Sequence, residues 1–293
     1  MSGLRLWVMA ARVRTLPAAI APVLVGSAAA AALPIDFDWL NFVAALIGAI
    51  FIQVGTNLAN DYSDAKRGAD TVDRLGPVRV TAAGMVAPRR VLYATWAAFG
   101  VAALAGLYLT IEVGPEILVI GILSIAAGVL YTGGPKPYGY EGLGEIFVFV
   151  FFGLVAVNGS FYVQLEEIET LPLLLSIPIG LLSAAILVVN NVRDIDTDRR
   201  AGKRTLAVRM GRERTRDLYV LMLAASYVLL PIALWAGDGS AWGLLGLLSI
   251  PLAVKPARAV RERTDGPSLN AALAGTGALL GVFALLVSIG LLL

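Results

Sequence analysis

The 293-residue chain contains no cysteine and no histidine. Without cysteine there are no disulfides and no thiolate metal sites. Without histidine there is no imidazole base, no Ser-His-Asp triad and none of the usual zinc sites. Charge is scarce as well: 15% of the residues are Asp, Glu, Lys or Arg, where a soluble domain carries about 25%. What is abundant is apolar, with 58% hydrophobic residues. These proportions point to an all-α, polytopic membrane protein folded as one helical bundle in lipid.

A membrane helix needs ~20 mostly apolar residues. That length predicts nine spans, at about 16–33, 39–58, 91–110, 116–132, 143–163, 171–191, 217–236, 241–254 and 269–293. The eighth is short. The N-terminal segment carries Arg5, Arg12, Arg14 and Trp7. No convincing cleavage site follows it, so 16–33 reads as a retained first span. Leu4 to Arg14 reads as a short interfacial helix.

With the N-terminus inside, all 23 Lys and Arg residues fall on one side of this topology. The opposite loops hold only acidic charge, from Asp36 to Asp238. The positive-inside rule then places the N-terminus and the long loops 59–90 and 192–216 in the cytoplasm of a cell (plasma) membrane. Val78 to Val86 and Leu206 to Met210 are candidates for short helices on that face.

Two Asp-rich segments occupy the same side. The first runs Asn57-Leu-Ala-Asn60-Asp61-Tyr-Ser-Asp64, followed by Lys66, Arg67, Asp70 and Asp73. The second runs Asn190-Asn-Val-Arg193-Asp194-Ile-Asp196-Thr-Asp198, followed by Arg199, Arg200, Lys203 and Arg204. Residues three and four apart share a helix face. Asn57, Asp61 and Asp64 therefore align, as do Asn190, Asp194 and Asp198. Hard divalent cations such as Mg²⁺ take carboxylate and amide oxygens together with substrate phosphates, and Lys and Arg suit phosphate oxygens. Acid for metal and base for phosphate are interleaved, as a diphosphate site requires. The plainer alternative is a solvated helix cap. It is weakened by the repetition and by the cost of an unpaired carboxylate at the end of an apolar run. The repeated Asn-x-x-x-Asp tetrad suggests four-helix pseudo-repeats at 16–132 and 143–254, plus a ninth helix, within a single domain spanning 1–293.

A third segment, Tyr131-Thr-Gly-Gly-Pro-Lys136-Pro-Tyr138-Gly-Tyr140-Glu-Gly-Leu-Gly-Glu145, joins two spans. Either it is a turn with interfacial Tyr, or it puts Lys136 on phosphate and its Tyr rings beside an aromatic or cationic group. Its glycines are not a dinucleotide fingerprint, because no strand precedes them. Gly277-x-x-x-Gly281 reads as a helix contact.

At these residues the chain resembles the UbiA superfamily of membrane prenyltransferases. Within it the chain is most similar to the MenA family of 1,4-dihydroxy-2-naphthoate polyprenyltransferases. Ala11–Pro17, Asn57–Asp64, Tyr131–Glu145 and Asn190–Asp198 with Gly202–Gly211 carry the resemblance. The superfamily's first motif is Asn-Asp-x-x-Asp-x-x-x-Asp; here position 68 is Gly, so a third carboxylate comes from Asp70 or Asp73, or is dispensable.

The resemblance implies Mg²⁺-dependent transfer of a polyprenyl group from polyprenyl diphosphate to 1,4-dihydroxy-2-naphthoate, losing CO2 and giving demethylmenaquinone. Asp61, Asp64, Asp194 and Asp198, with Asn57 and Asn190, would hold Mg²⁺. Arg67, Lys136, Arg193 and Lys203 would bind the diphosphate. Tyr131, Tyr138, Tyr140 and Asn60 would line the pocket for the aromatic substrate or allylic cation. A UbiA-type transferase with another aromatic or a glyceryl phosphate acceptor, an ion-coupled transporter and a structural subunit remain alternatives. No nucleic-acid partner is expected, and oligomeric state and prenyl length stay open.

Overall fold

A computed structural model describes residues 3–68 and 75–293. Asp70 and Asp73, the candidates for a third carboxylate, lie outside the described residues. The described residues contain helices and no strand: α1 (Gly3–Ala11), α2 (Pro17–Ala31), α3 (Trp39–Lys66), α4 (Pro88–Glu112), α5 (Pro115–Leu130), α6 (Gly144–Leu165), α7 (Thr170–Arg200), α8 (Leu206–Met210), α9 (Arg212–Ala236), α10 (Ala241–Glu262) and α11 (Gly266–Leu291). Among these residues seven helices are long and apolar enough to cross a membrane, or eight if α2 and its bent entry form one span. α5 is a shorter apolar helix. Each expected span falls on one of these helices, and the count of nine requires both α2 and α5. The protein is a multi-span membrane protein.

Three helices outrun their apolar stretch. α3 was expected to stop near 58 and continues to Lys66; α7 was expected to stop near 191 and continues to Arg200. α10, expected at 241–254, reaches Glu262 after a first stretch of 3₁₀ helix, Ala241–Ser249. Hydropathy marks where lipid ends, but Lys, Arg and Glu are good helix formers. As a result Asp61, Asp64, Asp194 and Asp198 project from helical turns rather than loops.

Of the seven helices long enough to cross singly, α7 is the most deeply buried, followed by α11. Around them α2 presents mostly small residues, including Ala18, Ala21, Gly26 and Ala28 to Ala30, all buried. Small residues let helix backbones approach closely where lipid supplies no hydrophobic drive. A Cβ at Gly26 would stand 2.1 Å from the Val157 carbonyl oxygen of α6. Where α6 passes through a π-helical stretch, Phe149–Val155, Gly153 lies directly against Gly180 of α7. Gly277 and Gly281 pack on Arg14 and Pro17 of the same chain, an internal helix contact.

Leu206–Met210 is the short helix expected there, capped by Thr205. Val78–Val86 is not a helix but a series of turns, with Gly84 at φ 67°. One helical turn forms, Ala83 N to Arg79 O. Gly84 in the left-handed region ends it by returning Met85 N and Val86 N to Val80 O. The N–H groups of Val80 and Thr81 at its start point to the Asp61 carboxylate.

Gly26→Val is expected to lower the melting temperature in detergent, because overpacking of this kind costs about 1–3 kcal/mol. Gly100→Ala is the control, since nothing lies within 4 Å of a Cβ there. Equal melting of the two variants would contradict the α2–α6 contact.

Candidate active site

A cavity of about 410 Å³ opens between the helices and joins both motifs. Its polar end is lined by Asn57, Asn60 and Asp64 of α3 and by Asn190, Asn191, Asp194 and Asp198 of α7. From there it runs along α3 to Ala44, 20 residues away, or about 30 Å at 1.5 Å per residue. The far part is apolar. Leu107, Leu118 and Ile122 line it and are also exposed on the outer surface of α4 and α5.

The two motifs are built differently. In the first, the Asn57 amide nitrogen donates to the Ala11 carbonyl (3.0 Å) and to Thr15 Oγ1 (3.2 Å). Its oxygen is therefore the end left for the cavity. Asn60 is turned the other way: Thr132 Oγ1 donates to its oxygen at 2.9 Å, leaving the NH2 group. Asp61 accepts from Val80 N at 3.1 Å and Thr81 N at 3.4 Å, and it does not line the cavity. Asp64 does. It receives Arg79 Nη2 at 2.8 Å and the Tyr140 hydroxyl at 2.5 Å.

In the second motif Arg193 closes a bidentate bridge on Asp194, Nε to Oδ1 at 2.8 Å and Nη2 to Oδ2 at 2.6 Å. The same guanidinium donates to Asn190 Oδ1 and to Asn270 Oδ1 of α11, both at 2.7 Å. Arg193 is 1% exposed. Asp198 faces Lys203, whose ammonium lies 3.8 Å from it and 3.7 Å from Asp64. One cation thus links the two helices at the mouth of the cavity. It also sits over the Tyr140 ring, 4.6 Å from the centroid.

Of the four cations expected on phosphate, only Lys203 lines the cavity. Arg193 is spent on Asp194, Asn190 and Asn270. Arg67 donates to the Gly134 carbonyl and lies over Tyr140 from outside. Lys136 is exposed. Arg12 and Arg79 line the cavity instead, and the sequence reading did not single them out for that role. Arg12 had a signal, since it sits in the Ala11–Pro17 stretch; it adopts φ 53° at the bend between α1 and α2. Arg79 had none beyond its charge.

Tyr131, Tyr138 and Tyr140 all line the cavity. Tyr138 stacks on Phe147 with centroids 3.9 Å apart, and Phe147 continues to Phe151 at 6.1 Å. These two phenylalanines extend the aromatic wall and were not expected. Burial first, and then the Asp64 carboxylate, hold the Tyr140 hydroxyl well above its ordinary pKa. It therefore remains a hydrogen-bond donor at neutral pH. Among the described residues no three acidic side chains stand together closely enough to hold a metal ion by themselves.

Removing one partner of a buried ion pair typically costs about 3–5 kcal/mol, because the other charge is stranded. Arg193→Met is expected to melt far below the wild type, and Arg193→Met with Asp194→Asn is expected to recover much of the loss. Additive losses in the double variant would show that the bridge does not bind the motif together. Asp61→Ala is expected to raise protease cleavage within 78–86 without changing helix content.

With this geometry in place, comparison with known proteins is informative. The UbiA prenyltransferase family matches residues 19–280. The 1,4-dihydroxy-2-naphthoate octaprenyltransferase of Mycobacterium tuberculosis is 45% identical over 98% of this chain and 97% of its own length. The Escherichia coli enzyme of that description is 40% identical over 94% and 91%. The structure of a UbiA homolog from Archaeoglobus fulgidus bound to DMAPP and Mg²⁺ superposes with a TM-score of 0.70 at 15% identity, covering 98% of each chain. The fold, the two motif-bearing helices and these full-length matches agree: the chain belongs to the UbiA prenyltransferase family.

Proposed function

We propose that this protein transfers a polyprenyl group from polyprenyl diphosphate to 1,4-dihydroxy-2-naphthoate, releasing pyrophosphate and CO2 and giving the quinol form of demethylmenaquinone. One observation carries the reading: a single cavity joins carboxylates and cations at one end of the bundle to a long apolar passage. A polyprenyl diphosphate has that shape and polarity. Each CH2 kept out of water is worth ~0.8 kcal/mol, so the tail belongs in the passage and the headgroup at Lys203, Arg12 and Arg79. A transporter would place its carboxylates near mid-depth; here the acidic side chains of the cavity sit at one end. The names of the full-length relatives support the naphthoate acceptor.

The chain supplies hard oxygen donors suited to Mg²⁺ in Asp64, Asp198 and the free amide oxygen of Asn57. When bound, the metal neutralises the diphosphate leaving group and lowers the barrier to C–O cleavage. Asp61, off the cavity, serves the same site by holding the 78–86 segment, and Asp194, on the cavity wall, serves it by holding Arg193. Lys203, Arg12 and Arg79 add positive charge as pyrophosphate departs. Tyr138, Phe147 and Phe151 face the developing allylic cation with π surfaces.

The allylic C–O bond breaks and pyrophosphate keeps the electron pair. The ring carbon that carries the carboxylate forms the new C–C bond. Its C–CO2 bond then breaks, and that pair restores the aromatic ring. No strong base is needed at that carbon, which suits a chain without histidine. The exposed liners of α4 and α5 support lateral entry of the lipid substrate from the bilayer. The excess of Lys and Arg on one side supports a plasma-membrane orientation with the site facing the cytoplasm. The repeated tetrad on α3 and α7 supports one domain built from related halves, 16–132 and 143–254.

Purified protein given Mg²⁺, an allylic diphosphate and 1,4-dihydroxy-2-naphthoate is expected to form pyrophosphate, CO2 and prenylated product in equal amounts, followed by mass spectrometry. Asp64→Asn and Asp198→Asn are each expected to lower turnover by at least ~100-fold. Asp64→Asn also melts lower, because buried Arg79 loses this partner, so its turnover is measured below its own melting temperature. Normal turnover in either variant, or product with glyceryl phosphate but none with the naphthoate, overturns this reading.

A further inference from the structure

Glu145 belongs to neither acidic motif, yet it is only 4% exposed, in the first turn of α6. One carboxylate oxygen, Oε1, accepts from Asn191 Nδ2 at 2.7 Å. The other, Oε2, meets no donor among the described residues. Burying a carboxylate is expensive, and its retention here has a visible consequence. The hydrogen bond turns the NH2 of the Asn191 amide toward Glu145. The amide oxygen is thereby directed elsewhere. Among the described residues no donor reaches it, and Asn191 lines the cavity.

The position matters as much as the orientation. On α7, Asn191 lies between Leu187, which lines the apolar passage, and Asp194 and Asp198 at the polar end. That boundary is where the allylic carbon of a diphosphate-headed lipid must lie, and so where a ring attacking it must lie. A lone acceptor atom repels diphosphate oxygens and gains nothing from hydrocarbon. Its complement is an O–H donor. Asn60, whose oxygen is taken by Thr132, offers the opposite polarity, so the cavity carries amides fixed in two senses rather than free rotors.

We propose that Asn191 accepts a hydrogen bond from a phenolic hydroxyl of the aromatic acceptor and selects for it, with Glu145 as the positioning residue that fixes the amide; this rests on the prenyl-transfer reading above. A site built around a substrate hydroxyl discriminates strongly against an analogue that lacks it, because the site's own polar group is left unpaired. Holding the ring by one hydroxyl also sets which ring carbon faces the donor.

The test compares kcat and KM for 1,4-dihydroxy-2-naphthoate and for its two mono-O-methyl ethers, at saturating allylic diphosphate and Mg²⁺. The wild type is expected to prefer the dihydroxy compound over one of the two ethers by at least about 100-fold in kcat/KM. Asn191→Leu is expected to lose that preference, with the donor KM and the half-saturating Mg²⁺ unchanged. Glu145→Gln keeps it, since the glutamine oxygen still accepts from Asn191; Glu145→Leu loses it. Should Glu145→Leu not fold, Asn191→Leu and the two ethers decide the matter alone. Retention of the wild-type preference in Asn191→Leu overturns the proposal. So does a shifted Mg²⁺ requirement with the preference intact, which would make Asn191 a metal ligand. A wild type that prenylates no aromatic acceptor sinks the prenyl-transfer reading instead.

Discussion

A carboxylate at the end of an apolar helix persists only when something compensates it. In this protein the compensation of four aspartates organises one whole end of the bundle. Asp61 gathers the backbone of Val80 and Thr81. Asp194 is clamped by Arg193, which in turn reaches Asn270 on the last helix. Asp64 collects Arg79 and Tyr140, and Lys203 stands between it and Asp198. Remove these pairings and the ends of α3 and α7 would carry four stranded charges next to lipid.

The same pairings divide labour within each motif. The aspartate deeper along each helix is spent on protein structure, and the one a turn further on faces the shared cation. The amides follow a similar logic. Asn57 keeps its oxygen for the cavity because its nitrogen is occupied, whereas Asn190 gives its oxygen to Arg193. Two motifs that look alike as strings are therefore not chemically equivalent. The difference arises because α3 abuts the N-terminal bend at Ala11 and Thr15, while α7 carries an arginine inside its own motif.

Much of this was legible in the chain before folding. Apolar runs located the seven long spanning helices of the described residues. Helical spacing brought Asn57 and Asp64 to the cavity, while Asp61 turns aside to Val80 and Thr81. The misses share a cause. Hydropathy ended α3, α7 and α10 too early because helix formation does not stop where apolarity does. Arg67, Lys136 and Arg193, expected on phosphate, do not line the cavity: the first meets Gly134, the second is exposed and the third holds Asp194, and charge does not reveal direction. Arg79 and Phe147 went unnoticed because their place in the cavity depends on neighbours far away in sequence.

The linear order of residues by itself determined a helical membrane protein and a polar repertoire of oxygen donors without thiol or imidazole. Those follow from composition and period, which are local. Which carboxylate is free, which arginine is already engaged, and which end of each amide meets the cavity were decided only by tertiary packing. Each of those choices is a competition between partners on different helices, and no single stretch of chain contains both competitors.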